Sequence, residues 1–197
     1  SPAVHFQYEY SYKRSVHMDL HLWQVAARSV LGWQRALAGD REGLTIIEGA
    51  LEELAEVTGR DPHQRPALWF VDACISMNEL ARAEEYLDQS LMIARERTTL
   101  FVPELAIQLA RVRQRLGHPA GEVRTLAELA LTQARDDGNL HQELCALELW
   151  LTLVDPEDTG AREDFRRLLG EVSHSDAPVL VRWRTLLDKR LTHLADA

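Results

Sequence analysis

The chain has little of what stops a helix and little of what staples a fold. Its 197 residues include seven prolines, ten glycines and two cysteines. Proline and glycine are the least favourable residues in a helix interior, so their scarcity favours a helical chain. Two cysteines cannot make a disulfide-dense scaffold. Cys74 and Cys145 both fall inside apolar stretches, which predicts buried free thiols in a reducing, cytoplasmic setting. No apolar run approaches the roughly 18 residues that suggest a membrane span. The first residues lack the basic-then-apolar pattern of a secretory leader and begin without Met, so an excised fragment or a processed start is expected. Net positive charge is also missing: the formal charge is −9. Direct nucleic-acid binding needs clustered Lys and Arg to neutralise phosphates. The local groups Arg111/Arg113/Arg115, Arg166/Arg167 and Arg182/Arg184 read as solvated helix faces.

Signatures of catalysis are absent too. There is no glycine-rich phosphate loop, no G-x-S-x-G and no C-x-x-C. The carboxylate pairs Glu52/Glu53, Glu84/Glu85 and Asp136/Asp137 are adjacent in sequence. Adjacent helix residues do not face each other, and acid–base work needs a carboxyl with a shifted pKa. The expectation is a protein without enzymatic activity or cofactor. One metal candidate stands out: His17 and His21, at i and i+4, could share a zinc ion from one helix face. A third ligand would have to come from His5, Asp19 or His63, and a plain surface pair is the simpler reading.

What is present is helical periodicity, organised around residues 65–97. Residues 67–77 are apolar almost throughout. After a polar break at Asn78-Glu79, the residues Ala83, Leu87, Ser90, Leu91 and Ala94 form one stripe by 3/4 spacing. This predicts an αα-hairpin that must bury its faces against neighbours. Similar patterns predict helices over 16–38, 41–57, 103–116, 120–134, 140–154, 162–172 and 178–194, with Asp158 or Thr159 as the cap of the 162–172 helix. Residues 1–15 differ: Phe6, Tyr8, Tyr10 and Tyr12 alternate with polar residues, the pattern of an extended segment with one aromatic face. It could pack on the helices, lie in a groove or end a preceding domain.

The breaks recur. Turns inside hairpins fall at Gly39, Asn78, Gly117 and Pro156, and turns between hairpins near Gly59, Thr98, Asp137 and Ser175. A fixed period of 39 residues is the mark of a helical solenoid. Compact residues keep a similar step: Gly32, Val71 and Ala110 in first helices, and Gly43, Ala83 and Val123 in second helices. The fold expected is all-α: a right-handed αα-hairpin solenoid of about four hairpins plus a C-terminal capping helix, over residues 16–197.

These small residues, with the stretch from Leu31-Gly32 to Gly39-Asp40, resemble tetratricopeptide (TPR) repeats, here lengthened to about 39 residues. Three stretches, GDREGLTIIEGALEELAEVTGRD, NELARAEEYLDQSLMIARERT and RTLAELALTQARDDGNLHQELCALELW, are similar to the C-terminal repeat region of bacterial multidomain transcription regulators (LuxR-type, winged-helix or cyclase-linked) and STAND-type signalling ATPases. The sequence departs from the repeat pattern at Glu122 and Glu148, where apolar residues are the norm, and in its fourth hairpin. The resemblance implies a non-catalytic interaction or ligand-sensing module in which first helices line a concave groove. Steps of 39 along that groove pick out Trp33, Asp72, Arg111 and Trp150, with Arg35, Ser76, Gln108, Arg115 and Thr152 nearby. Trp and Arg are frequent binding anchors. Alternatively, both tryptophans are inter-repeat core and the charges form a ladder. The partner expected is a protein or peptide, or else a small effector. A homodimer formed through the end helices, with Val179, Trp183, Leu187 and Leu191 on the last, is the other reading.

Overall fold

A computed structural model describes residues 21–58, 64–97 and 99–171. The described residues are all-helical, with no strand among them. The helices are α1 (His21–Leu37), α2 (Glu42–Thr58), α3 (Gln64–Ser76), α4 (Leu80–Glu96), α5 (Val102–Leu116), α6 (Ala120–Asp136), α7 (Leu140–Leu149) and α8 (Thr159–Glu171). A π-helical turn, Trp150–Val154, continues α7. The aromatic segment 1–15, His17, the start of the first expected helix and the closing helix 178–194 lie outside the described residues, as does the side chain of His21.

Three hairpin turns share one geometry. Gly39, Asn78 and Gly117 each adopt positive φ, at 89°, 61° and 80°. A left-handed residue after the last helical turn lets the next N–H reach back and satisfy an orphan carbonyl. Here Asp40 N–H donates to Arg35 O at 3.0 Å, Glu79 N–H to Cys74 O at 2.8 Å, and His118 N–H to Arg113 O at 3.0 Å. Each donor and each acceptor is 39 residues beyond the last. The fourth turn departs. Asp155 is extended, at φ −146°, and its N–H bonds back to Trp150 O across the π turn. Downstream, the Asp158 carboxylate accepts from Ala161 N–H at 2.9 Å and caps α8.

Each helix packs on the next. Among first helices, α1 also packs on α3 and α5 on α7, while α3 and α5 approach each other less closely. On α4 the stripe Ala83, Leu87, Ser90, Leu91 and Ala94 is buried as its spacing requires. One core cluster extends from Ala36 on α1 to Leu149 on α7. A second joins Leu144 and Leu147 to Phe165 and Leu168 of α8. Burying a leucine such as Leu87 or Leu105 contributes roughly 1.5–3 kcal/mol. The backbones of α1 and α2 approach closely at two glycines: a Cβ on Gly32 would stand 2.7 Å from Gly43 O. The backbones touch there because neither residue has a side chain.

Arginines tie the hairpins together on their polar faces. Arg82 on α4 pairs with Glu48 of α2. Arg113 on α5 reaches Glu84 and Asp88 of α4 at 3.0 and 2.9 Å. Arg135 on α6 reaches Glu143 of α7 at 2.9 Å and Asp164 of α8 at 2.6 Å. Glu122, unusual in the repeat pattern, pairs with Arg113 at 3.5 Å and His118 at 3.3 Å.

Candidate binding cleft

Because α3 and α5 stand apart, the faces of α3, α5 and α7 enclose an open cleft. On α5 the residues Glu104, Gln108, Arg111 and Arg115 follow one another by four, three and four, which places them on a single face. All four line the cleft. Opposite them α3 gives Leu68, Trp69, Asp72 and Ile75, α7 gives His141, Cys145 and Glu148, and the π turn after it gives Thr152. The cleft consists of two cavities, about 430 and 580 Å³, which share Gln108 and Arg111.

The two cavities differ in chemistry. The larger is walled by Trp69, Phe101, Leu68, Leu100 and Ile107, with Glu104, Gln142, His141 and Cys145 among them. Gln142 is 9% exposed, and its side-chain Oε1 is buried without a hydrogen-bond partner. The smaller is polar, with Asp72, Gln114, Arg115 and Glu148 around Arg111. Arg111 approaches Glu148 at 3.7 Å, beyond hydrogen-bond length. Arg115 is exposed and makes no ion pair among the described residues. Glu148, the other acid that the repeat pattern leaves unexplained, is therefore a wall of the cleft.

The cleft holds no ready nucleophile. Burial pushes the Cys145 thiol up to about 11, although the nearby Arg111 guanidinium acts against the shift. Its Sγ lies 3.9 Å from His141 Nε2. Cys74, in the core, is pushed up to about 12 by burial. Both remain thiols at neutral pH and neither is poised to attack. No group of three His, Cys, Asp or Glu side chains able to hold a metal ion occurs among the described residues.

Of the residues expected at the groove, Asp72, Gln108, Arg111, Arg115 and Thr152 come together in the cleft. Trp33 stands beside it: its indole N–H donates to Asp72 Oδ2 at 2.6 Å and its ring stacks on Trp69 at 6.4 Å. Ser76 is exposed, with its hydroxyl donating to Ala73 O at 2.8 Å. Arg35 is held at the first hairpin turn by Asp40 and Glu42, whose carboxylates raise its pKa. Trp150 points elsewhere. Its indole N–H donates to Asp158 at 3.0 Å and Arg124 lies 5.4 Å above its ring. The reason is register. From α5 to α7 the cleft residues repeat after 37 positions, as in Glu104/His141 and Arg111/Glu148, not after 39. Two residues turn a helix by about 200°, so Trp150 faces away from Glu148.

Trp69, Glu104 and Glu148 line the cleft at positions that the 39-residue step from Trp33 does not pick out. Helical spacing carried a usable signal: Trp69 lies three before Asp72, and Glu104 four before Gln108. The chain matches no protein-family model and no curated protein sequence.

Proposed function

We propose that the chain is a non-catalytic, TPR-like helical solenoid that binds a partner through the cleft of α3, α5 and α7. The observation that carries this reading is the make-up of the cleft. First-helix faces stay apart, and they present tryptophan, phenylalanine, arginine and carboxylates to two adjoining open cavities. Aromatic and arginine side chains in a concave setting are the groups that dominate binding energy. Three turns of one geometry at a 39-residue interval support the solenoid reading.

The partner in this reading is a protein or peptide segment, since an open channel with a long polar stripe fits an extended chain better than a compact molecule. The resemblance of the repeats supports a regulatory role, as the C-terminal sensing part of a bacterial cytoplasmic transcription regulator or signalling ATPase. The net charge of −9 argues against direct contact with nucleic acid. No helix among the described residues is long and apolar enough to cross a membrane.

Selection of random ten-residue peptides on the full chain tests the reading. Peptides enriched on the wild type should lose binding to Gln108→Trp and Arg111→Glu, which obstruct and recharge the centre of the channel. They should keep binding to Glu128→Gln, an exposed change on α6. Equal binding to all three variants would sink the proposal. A second reading, self-association through the ends of the stack, is favoured by Trp23 on α1, which is 68% exposed. Light scattering at high concentration decides it: a strict monomer removes it.

A further inference from the structure

The larger cavity of the cleft lies at the end of the stack where the first helices begin. Arg41 pairs with Glu79 and Glu48 with Arg82, in matching order, so α2 and α4 run parallel. α1 and α3 each fold back on them through a hairpin turn, and are therefore parallel as well. The cavity takes Leu68 and Trp69 from the N-terminal half of α3, Leu100 and Phe101 from just before and at the start of α5, and Gln142 from the first turn of α7. α1 begins at His21, so its junction with residues 1–20 stands at that same end. Trp33, whose ring stacks on Trp69, is twelve residues after His21. At 1.5 Å per residue along α1, and one helix-to-helix distance across, His21 and the Trp69 ring are about 20 Å apart. Tyr12 is nine residues before His21, a reach of up to about 30 Å.

The chemistry of the cavity is that of a slot for one kind of side chain. Its volume is about 580 Å³ and its walls include Leu68, Trp69, Leu100, Phe101 and Ile107, which call for an apolar body. Gln142 lines the same cavity, is 9% exposed, and its Oε1 is buried without a hydrogen-bond partner. Such an acceptor is costly to leave unmade. The terminal torsion of glutamine is broad, so a small rotation of the amide turns Oε1 towards an incoming donor. Tyrosine combines an apolar ring with a donor at its tip, and a buried tyrosine O–H normally finds a partner. Three of the chain's four tyrosines fall at alternate positions in the stretch Tyr8–Tyr12, with Phe6 two residues before. Alternate residues of an extended segment share one face.

We propose that the chain's own segment Phe6–Tyr12 lies extended in the larger cavity and seats a tyrosine between Trp69 and Phe101, its O–H donating to Gln142 Oε1. This deepens the reading of the cleft as a binding site, on which it rests: the segment holds the site until a partner displaces it. A tethered segment acts at an effective concentration on the order of millimolar, so a weak contact fills the site and a partner must outcompete it.

Two measurements on the full chain test the proposal. In the first, a photoreactive benzophenone amino acid replaces Tyr10. Cross-links should form within one chain, to peptides containing Trp69 or Phe101. Cross-links to α2, α4, α6 or α8, or between two copies, overturn the proposal. In the second, iodoacetamide reports on Cys145, which lines the same cavity. Tyr8→Ser, Tyr10→Ser and Tyr12→Ser together should raise its alkylation rate about tenfold, as when a mostly occupied site is emptied, and leave Cys74 unchanged. Phenylalanine at the three positions removes only the O–H and should raise the rate about threefold, as an average hydrogen bond is lost. That effect should vanish in a Gln142→Leu background. An unchanged Cys145 rate in the serine variant, with native helical content by circular dichroism, overturns the proposal, as does a phenylalanine effect that persists in Gln142→Leu. Selection of the random ten-residue peptides separates this proposal from the reading beneath it. Peptides that enrich on the serine variant and lose binding to Gln108→Trp keep the channel standing even where the cross-links miss the cavity. No enrichment over Gln108→Trp, on the wild type and the serine variant alike, overturns both.

Discussion

The indole N–H of Trp33 on α1 donates to the carboxylate of Asp72 on α3 at 2.6 Å, across a sequence separation of 39 residues. One repeat interval thus becomes a single hydrogen bond between two first helices. The same indole stacks on Trp69, which walls the cleft. The bond therefore fixes both the spacing of α1 on α3 and the orientation of a cleft ring. Trp33→Phe keeps an aromatic ring and removes the donor. It should cost about 1 kcal/mol, the typical net contribution of a hydrogen bond, and Asp72→Asn somewhat less. Urea denaturation gives the two values. A double-mutant cycle showing no coupling between them would mean that the bond is not formed in solution.

Gly32 and Gly43 let α1 and α2 touch backbone to backbone. Gly32→Ala introduces a methyl against Gly43 O and the Ile47 side chain, and it should destabilise by about 1–3 kcal/mol, the range for overpacking. Gly49, on the same hairpin with open space around its Cα, is the control. Gly49→Ala should be neutral or stabilising, by up to about 1 kcal/mol, because alanine is the better helix former. Thermal melting of the two variants should move in opposite directions.

The Asp158 carboxyl is held below the usual aspartate range, first by the Ala161 backbone N–H and then by the Trp150 indole N–H. A depressed folded-state pKa stabilises the fold at pH above the unfolded value and loses that contribution as pH falls through the folded value. The contribution should therefore begin to fade below about pH 4, where the unfolded chain's aspartate protonates, and cap and π turn should loosen together as pH falls on through the lower folded value. In Asp158→Asn, the acid side of the stability profile should be flatter than in the wild type. Tryptophan fluorescence during acid titration, with Trp150→Phe to identify the signal, measures it.

Burial leaves Cys74 and Cys145 as neutral thiols, pushed up to about 12 and about 11. Alkylation by iodoacetamide at pH 8 should be slow for both in the native protein and fast in denaturant. Cys145, on the cleft wall and less buried than Cys74, should react first. A bound cleft peptide should slow Cys145 and leave Cys74 unchanged.

Much of the architecture was legible in the sequence. The Ala83–Leu87–Ser90–Leu91–Ala94 stripe, the three left-handed turn residues and the Asp158 cap are each set by residues close in sequence, so local chemistry sufficed to read them. The apolar excess over 67–77 predicts a helix that buries its faces against neighbours. In the structure Leu68, Trp69 and Ile75 belong to the cleft wall, a distinction that composition cannot make. Carrying the 39-residue step into α7 puts Trp150 in the groove, whereas its indole turns to Asp158. Turns keep that step because they answer to helix length. Side-chain direction answers to how a helix rolls on its neighbours, and there the step became 37.

Over the described residues, the sequence by itself determined that the chain is helical, where its first three hairpins turn, and which face of α4 is apolar. Those properties follow from backbone preference, capping and 3.6-residue periodicity, all of which act over a few residues. Only the tertiary structure decided that α3 and α5 stand apart, that Glu104, Arg111 and Arg115 face Trp69, Asp72 and Glu148 across the opening, and that Trp150 turns to Asp158. Those outcomes depend on the rotation and separation of helices more than thirty residues apart in the chain. Close packing of the whole core sets these, and no local stretch encodes them.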